Sequence, residues 1–440
     1  MSSEWSQVKL GNLVNIKHGF AFKGEFFSDT PTSFQLTTPG NFAIGGGFQA
    51  GKGKFYSGPI PEDYVLKAGD LLVTMTDLSK AADTLGYAAV VPDSLGTTWL
   101  HNQRVGLISI KPGASINQSF VHYLMRSPEY RHWVVSTATG STVKHTSPGR
   151  ICEFEFSLPP IEYQHFVAQM LGALDDRITL LRETNTTLEA IAQALFKSWF
   201  VDFDPVHSKM QGRAPVGMDE ATAALFPDSF EESELVPVPK GWRVGTLDAL
   251  AHLNPESWST KHHPERIHYV DLANTKAGQI DDITEFSFDE APSRARRVLR
   301  QGDVIVGTVR PGNRSFARIA FDVTGLTGST GFAVLRAREA ADQALVYIAA
   351  TTDEAIDRLS HLADGGAYPA VRPEVVGNTP LVVAPEILRK SFGEIANSLF
   401  ASVGANQECM RQLASLRDTL LPRLISGQLH VHEIAEVAES

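Results

Sequence analysis

Apolar residues recur every three or four positions over two long stretches of the chain, and that spacing predicts two long amphipathic helices. From Leu171, alternate steps of three and four give Leu174, Ile178, Leu181, Asn185, Leu188, Ala192, Leu195 and Trp199. The same phase returns 225 residues later at Ala396, Leu399, Val403, Asn406, Met410, Leu413, Arg417, Leu420 and Leu424, with Leu416 beside Arg417. Each seam holds an asparagine near its middle, and a buried asparagine costs stability but fixes register, because a slipped partner leaves its amide unpaired. Asn185 and Asn406 are therefore expected to pair. A helix over 163–200 would span roughly 55 Å at about 1.5 Å per residue. Two such helices packed antiparallel, each following its own domain, predict a dumbbell with approximate two-fold symmetry.

The helices are part of a wider duplication. Trp5, Leu10 and Leu13 recur as Trp242, Leu247 and Leu250; Leu66-Lys-Ala-Gly-Asp70 recurs as Leu299-Arg-Gln-Gly-Asp303; Gly140, Pro148 and Pro160 recur as Gly365, Pro373 and Pro385. Short β-branched runs such as 71–75 and 304–309 read as strands, while 120–135 and 344–359 have helical periodicity. The expected fold is α+β: a domain at 1–157, a helix at 158–204, a second domain at 241–384, and a second helix with a C-terminal tail at 385–440. Between the copies, residues 205–240 hold Pro205, Pro215, Pro227, Pro237 and Pro239 and the acids from Asp228 to Glu234, which reads as a connector outside either core.

With 440 residues, 43% of them hydrophobic, the chain can bury at least two cores. Two cysteines cannot build a disulfide framework, and neither a secretory leader nor an eighteen-residue apolar run occurs, so a cytoplasmic location without a membrane is expected. The 39 basic and 50 acidic residues give a net charge of -11. Local excess still permits a phosphate-facing surface: Arg294, Arg296, Arg297, Arg300, Arg310, Arg314 and Arg318 share one stretch with a single acid, Asp303.

Catalytic signatures are hard to find. No lysine follows an acid by two positions, as in many Mg²⁺-dependent nucleases, and the double proline 159–160 is preceded by Leu158 rather than the Asn or Asp of an amino-methyltransferase loop. Gly46 to Lys52 imitates a phosphate loop, but Gly53 stands where Ser or Thr would ligate Mg²⁺. His262, His263 and His268 lack zinc-site spacing. The chain is expected to be non-catalytic, with neither metal nor cofactor of its own.

Leu158-Pro-Pro-Ile-Glu-Tyr-Gln164, the helix ending Ser198-Trp-Phe-Val-Asp-Phe-Asp-Pro205, then Leu225-Phe-Pro227, Pro239-Lys-Gly-Trp242 and Leu421-Pro-Arg-Leu-Ile-Ser-Gly-Gln-Leu429 together resemble the specificity subunits of type I restriction-modification systems. The resemblance runs nearly end to end. It departs at Tyr163-Gln164, where the family has Glu-Gln, and at 384–390, which lacks the double proline and the glutamine. The resemblance implies two target-recognition domains that each read one part of a bipartite double-stranded DNA site, spaced by an antiparallel coiled coil acting as a ruler. It also implies two methyltransferase subunits, which carry S-adenosylmethionine and methylate adenine N6, and restriction subunits with ATP- and Mg²⁺-dependent translocase and nuclease activity. A methylation-only complex, or a protein adaptor without DNA contact, are the alternatives.

Base-reading side chains follow from chemistry, since Arg suits guanine, Asn and Gln suit adenine, and Lys supplies phosphate charge. The candidates in the first copy are Lys52, Lys54, Lys80, Asn102, Gln103, Arg104, Lys144 and His145. Those in the second are Arg294, Arg296, Arg297, Arg310, Asn313, Arg314, Tyr368 and Arg372. Trp199 and Phe200, which close the first helix, are candidates for docking a partner helix.

Overall fold

A computed structural model of the chain describes residues 5–79, 81–93, 96–233, 237–366 and 368–429, and divides it into two units, Met1–Thr179 with Met410–Ser440, and Leu180–Cys409. The first holds a four-stranded antiparallel sheet in the order Val14–His18, Val105–Ile110, Leu71–Thr74, Ala88–Val90. The second repeats it as Ala251–Leu253, Phe332–Ala337, Val304–Gly307, Phe316–Arg318. Leu71–Thr74 and Val304–Gly307 are buried throughout, which is why they read as uninterrupted apolar runs.

The duplicated Leu-x-x-Gly-Asp motif begins both of these strands for a geometric reason. Gly69 and Gly302 each sit at φ +88°, a left-handed conformation that Gly adopts at no steric cost. The aspartate then folds back, so that Asp70 accepts the Lys67 backbone N–H and Asp303 that of Arg300, both at 2.8 Å. Asp303 is also gripped by Arg336, whose Nε and Nη2 each donate over 2.8 Å.

A second sheet in each unit contains one parallel pair, Phe34–Leu36 with Thr98–Leu100 and Arg266–Val270 with Leu326–Ser329. The copies differ at its edges: Phe27–Ser28 is added beside Lys54–Tyr56 in the first unit, and Ala295–Val298 beside Leu326–Ser329 in the second. Two-stranded ribbons, Ser6–Lys9 with Glu155–Leu158 and Arg243–Thr246 with Pro380–Val383, lead into the long helices Ile161–Phe200 and Glu386–Ile425.

The start of each helix is locked to its own domain. Gln164, fully buried, accepts the Asn117 N–H at 2.8 Å and donates to the Pro159 carbonyl at 2.8 Å. In the second copy Arg389 takes that place, donating to the Ala384 carbonyl at 3.1 Å and pairing with Asp342. The departure from the family pattern at 384–390 is thus a substitution of one lock for another.

Within each unit the two helices run antiparallel. In the first, the Tyr163 hydroxyl donates to the Leu424 and Leu429 carbonyls and Arg417 pairs with Asp175 over 2.7 Å. In the second, Asn406 Nδ2 donates to Asn185 Oδ1 at 2.8 Å, Asn185 Nδ2 donates to the Val403 carbonyl at 3.3 Å, and Phe196 meets Phe392. The glycine of the Leu421–Leu429 motif has a packing role: Gly427, at φ +72°, lies so close to Trp5 that a Cβ would fall 2.5 Å from the indole.

The segment 205–240 does not stay outside the core. Val206 and Phe226 are buried in the core of the second unit, Val238 is also buried, and Phe226 meets Trp199 edge-on at 5.1 Å. Pro205 sits in the first turn of helix Asp204–Met210, where a missing N–H costs nothing, and a second short helix, Glu220–Ala224, forms between Pro215 and Pro227.

Candidate nucleic-acid interface

In the first unit three loops meet beyond the end of strand Leu71–Thr74. Lys144–His145 pairs antiparallel with Thr76–Asp77. Met75 donates its N–H to the Arg104 carbonyl and accepts from the Thr146 N–H, each at 3.0 Å. Those bonds gather Asn102, Gln103, Arg104, Lys144 and His145 at one edge, with Gln103, Arg104 and His145 exposed. The His145 ring bonds Thr76 Oγ1 at 3.1 Å.

The adjoining turn is stiffened by Asp77, which accepts the Ser79 and Thr84 N–H groups at 2.6 and 2.5 Å and the Thr84 hydroxyl at 2.8 Å. Burial works against the charge of Asp77, but these bonds outweigh it and hold its pKa below the ordinary carboxylate value. The same turn presents Leu78, 65% exposed.

Lys54 begins strand Lys54–Tyr56 on the second sheet, with its Nζ 5.5 Å from the Phe27 ring. Lys52 ends a short helix, Ala50–Lys52, but its side chain lies outside the described residues, as does Lys80 altogether.

The second unit builds the same junction. Val309 bridges Ala370, the Arg310 N–H donates to the Pro369 carbonyl at 2.7 Å, and the Val371 N–H donates to the Thr308 carbonyl at 2.9 Å. Arg310, Asn313, Tyr368 and Arg372 are exposed there, and the Arg310 guanidinium lies 4.6 Å over the Tyr368 ring. The turn at 329–331 joins this junction to the edge strand Ala295–Val298, since Thr308 donates to the Gly331 carbonyl and Thr330 to that of Arg294.

Other arginines of this stretch bond acids, hydroxyls and rings of the protein. Arg294 donates to Tyr269 Oη at 3.0 Å and Asp271 at 2.6 Å, Arg300 to Glu256 at 2.6 Å, and Arg314 to Asp353 at 2.6 Å. Arg296 stacks over Phe288, while Arg297 bonds Ser257 and burial lowers its pKa. Arg294 and Arg314 thus have their donor edges committed to carboxylates, which fits structural support better than base contact.

Trp199 and Phe200 do not form a docking surface. They are 1% and 5% exposed in the core of the second unit, against Phe392, Phe226 and Trp242. The apolar demand of that core claims both rings; of their neighbours it is Val201 that faces solvent. Among the described residues, no group of three or more His, Cys, Asp or Glu is arranged to hold a metal ion, and no helix is long and apolar enough to cross a membrane.

Residues 2–190 match the type I restriction modification DNA specificity domain. The specificity subunit of the type I restriction enzyme MjaIX of Methanocaldococcus jannaschii is 23% identical over 356 residues, which cover 80% of this chain and 76% of that protein. That of HindI from Haemophilus influenzae is 31% identical over 169 residues, 38% of this chain and 32% of its relative. Among solved structures, the S subunit of a type I restriction-modification system from M. genitalium gives a TM-score of 0.55 at 14% identity, covering 96% of both chains, which is a likeness of fold.

Proposed function

We propose that the chain, whose residues 2–190 match the type I restriction modification DNA specificity domain, is a specificity subunit of such a system and reads a bipartite DNA site, one part with each unit. The observation that carries this reading is the loop junction built twice on one backbone plan with different side chains. A shared scaffold with divergent tips suits two readers of different short sequences, because backbone geometry sets the approach to the groove and side chains set the base. Asn102, Gln103, Arg104, Lys144 and His145 serve the first half-site, with Lys52, Lys54 and Lys80 toward phosphates. Arg310, Asn313, Tyr368 and Arg372 serve the second, supported by Arg294, Arg296, Arg297 and Arg314.

Catalysis belongs to partners in this reading. Two methyltransferase subunits with S-adenosylmethionine would modify adenine N6, and restriction subunits using ATP and Mg²⁺ would act on unmodified DNA, while this chain positions them. Exchange of residues 241–384 for another recognition domain should alter only one half of the methylated motif when N6-methyladenine is mapped genome-wide. A change in both halves, or in neither, would contradict the one-unit, one-half assignment.

A further inference from the structure

We propose that Leu78 reads the 5-methyl group of a thymine, so that the half-site of the first unit holds an A·T pair at the position this side chain meets. The inference rests on the DNA-reading assignment and names a base feature that the assignment leaves open. Thr76–Asp77 and Lys144–His145 form a two-stranded antiparallel ribbon, and the Thr139 and His145 backbones extend it by exchanging hydrogen bonds at 2.9 and 2.8 Å. The DNA major groove is wide enough to admit an element of that kind. Along the ribbon the chain comes to the surface abruptly: Thr76 and Asp77 are each 4% exposed and Leu78 is 65% exposed. The other exposed side chains gathered at this edge, Gln103, Arg104 and His145, are polar. Base edges in the major groove present donors and acceptors with one apolar exception, the thymine methyl, and that group is the one a leucine among polar readers fits.

The backbone holds the leucine in place before any DNA arrives. Asp77 accepts the Ser79 N–H at 2.6 Å and the Thr84 N–H and hydroxyl at 2.5 and 2.8 Å, and the Asp83 N–H donates to Ser79 Oγ at 2.9 Å. On the strand side the buried Thr74 hydroxyl donates to the Thr76 carbonyl at 3.0 Å. Ala82 completes the turn at φ +59°, a left-handed conformation that costs a residue with a Cβ and persists where surrounding bonds enforce it. A side chain displayed on a stiff turn loses less entropy on contact than one on a flexible loop. The second unit fills this position differently. Counted without gaps from the shared Leu-x-x-Gly-Asp motif, Leu78 corresponds to Pro311, which is buried. Methyl reading at this position therefore belongs to the first half-site alone.

The test measures binding of the assembled complex, with its methyltransferase subunits, to cognate duplexes in which each thymine of both half-sites is replaced singly by deoxyuridine, which pairs identically and lacks only the 5-methyl group. One replacement in the first half-site should weaken wild-type binding about four-fold, the loss expected for one buried methyl group. Leu78→Ala should bind the thymine and uracil duplexes at that position equally, and Leu78→Met should keep most of the preference. Replacements in the second half-site should affect wild type and Leu78→Ala alike. Since Leu78 stands largely in solvent, Leu78→Ala should melt at the wild-type temperature, which separates a lost contact from a lost fold. Wild-type binding indifferent to every replacement in the first half-site, or a Leu78→Ala complex that keeps the full thymine preference, overturns the methyl assignment while leaving the DNA-reading role intact. A wild-type complex that binds cognate and scrambled duplexes equally sinks that role, and this inference with it.

Discussion

Asp175 accepts hydrogen bonds from Arg126 and Arg417, each at 2.7 Å, and from the Tyr123 hydroxyl at 3.0 Å, joining both long helices to the domain of the first unit. Burial opposes its charge, but the two guanidinium groups outweigh that cost and hold its pKa below the usual carboxylate value. Arg126, 3% exposed, also donates to the Gly45 carbonyl at 2.6 Å, so the glycine-rich loop is tied into the same network. Beside it, burial and the neighbouring Arg126 push the His122 ring down to about 3, and burial pushes His101 down to about 4. The unfolded chain protonates each ring near pH 6.5, whereas the folded unit refuses that proton, so stability present above pH 6.5 is lost as the solution becomes more acidic. The loss should approach about 1.4 kcal/mol per pH unit per histidine once well below pH 6.5, and continue down to the folded values. Urea unfolding of the first unit, followed by hydrogen exchange over 118–136, should show a lower midpoint at pH 5 than at pH 7. His122→Gln and His101→Gln should each flatten that dependence, and an unchanged pH profile in the double variant would place its origin elsewhere.

At the scale of elements, the heptad spacing located both long helices, because burial of one stripe in a helix pair imposes a period that survives in any single sequence. Even the break at Arg417 was visible, although its partner Asp175 was not, since the two are 242 residues apart. The segment 205–240 reads as a connector because its prolines and acids dominate composition, while Val206 and Phe226 enter the core singly and without period. Removing the Phe226 ring should therefore cost the second unit about 3–5 kcal/mol, as for other large-to-small core changes, and an effect near zero in Phe226→Ala would restore the connector view. The arginines around 294–318 were similarly opaque, because the carboxylates that engage Arg294 and Arg314, Asp271 and Asp353, are remote in sequence. The asparagine pair gives the clearest test of element pairing. With Asn185 and Asn406 both changed to Leu, the helix pair should melt at a higher temperature and populate more than one register by cross-linking, because the amide that penalised slippage is gone. A single cross-linked register would show that flanking contacts such as Phe196 with Phe392 suffice.

At the scale of the whole molecule, each long helix is shared: Ile161–Phe200 contributes its first half to one unit and its second half to the other, and Glu386–Ile425 does the same in reverse. A continuous helix is stiff over this length where a flexible linker would leave a broad range of separations. For the proposed reading the helix length is the quantity to vary, since the distance between two readers on one duplex, at about 3.4 Å per base pair, sets the spacer between the half-sites. Excising one heptad from each helix, in matched positions so that the seam keeps its phase, shortens both by about 10.5 Å. That length corresponds to about three base pairs, so the complex should select sites with a spacer shorter by about that number when offered a library of spacings between unchanged half-sites. The half-site sequences themselves should not change, because both loop junctions are built within their own units. Selection of the original spacing by the shortened protein would mean that the distance between half-sites is set by something other than these helices, such as the partner subunits or bending of the DNA.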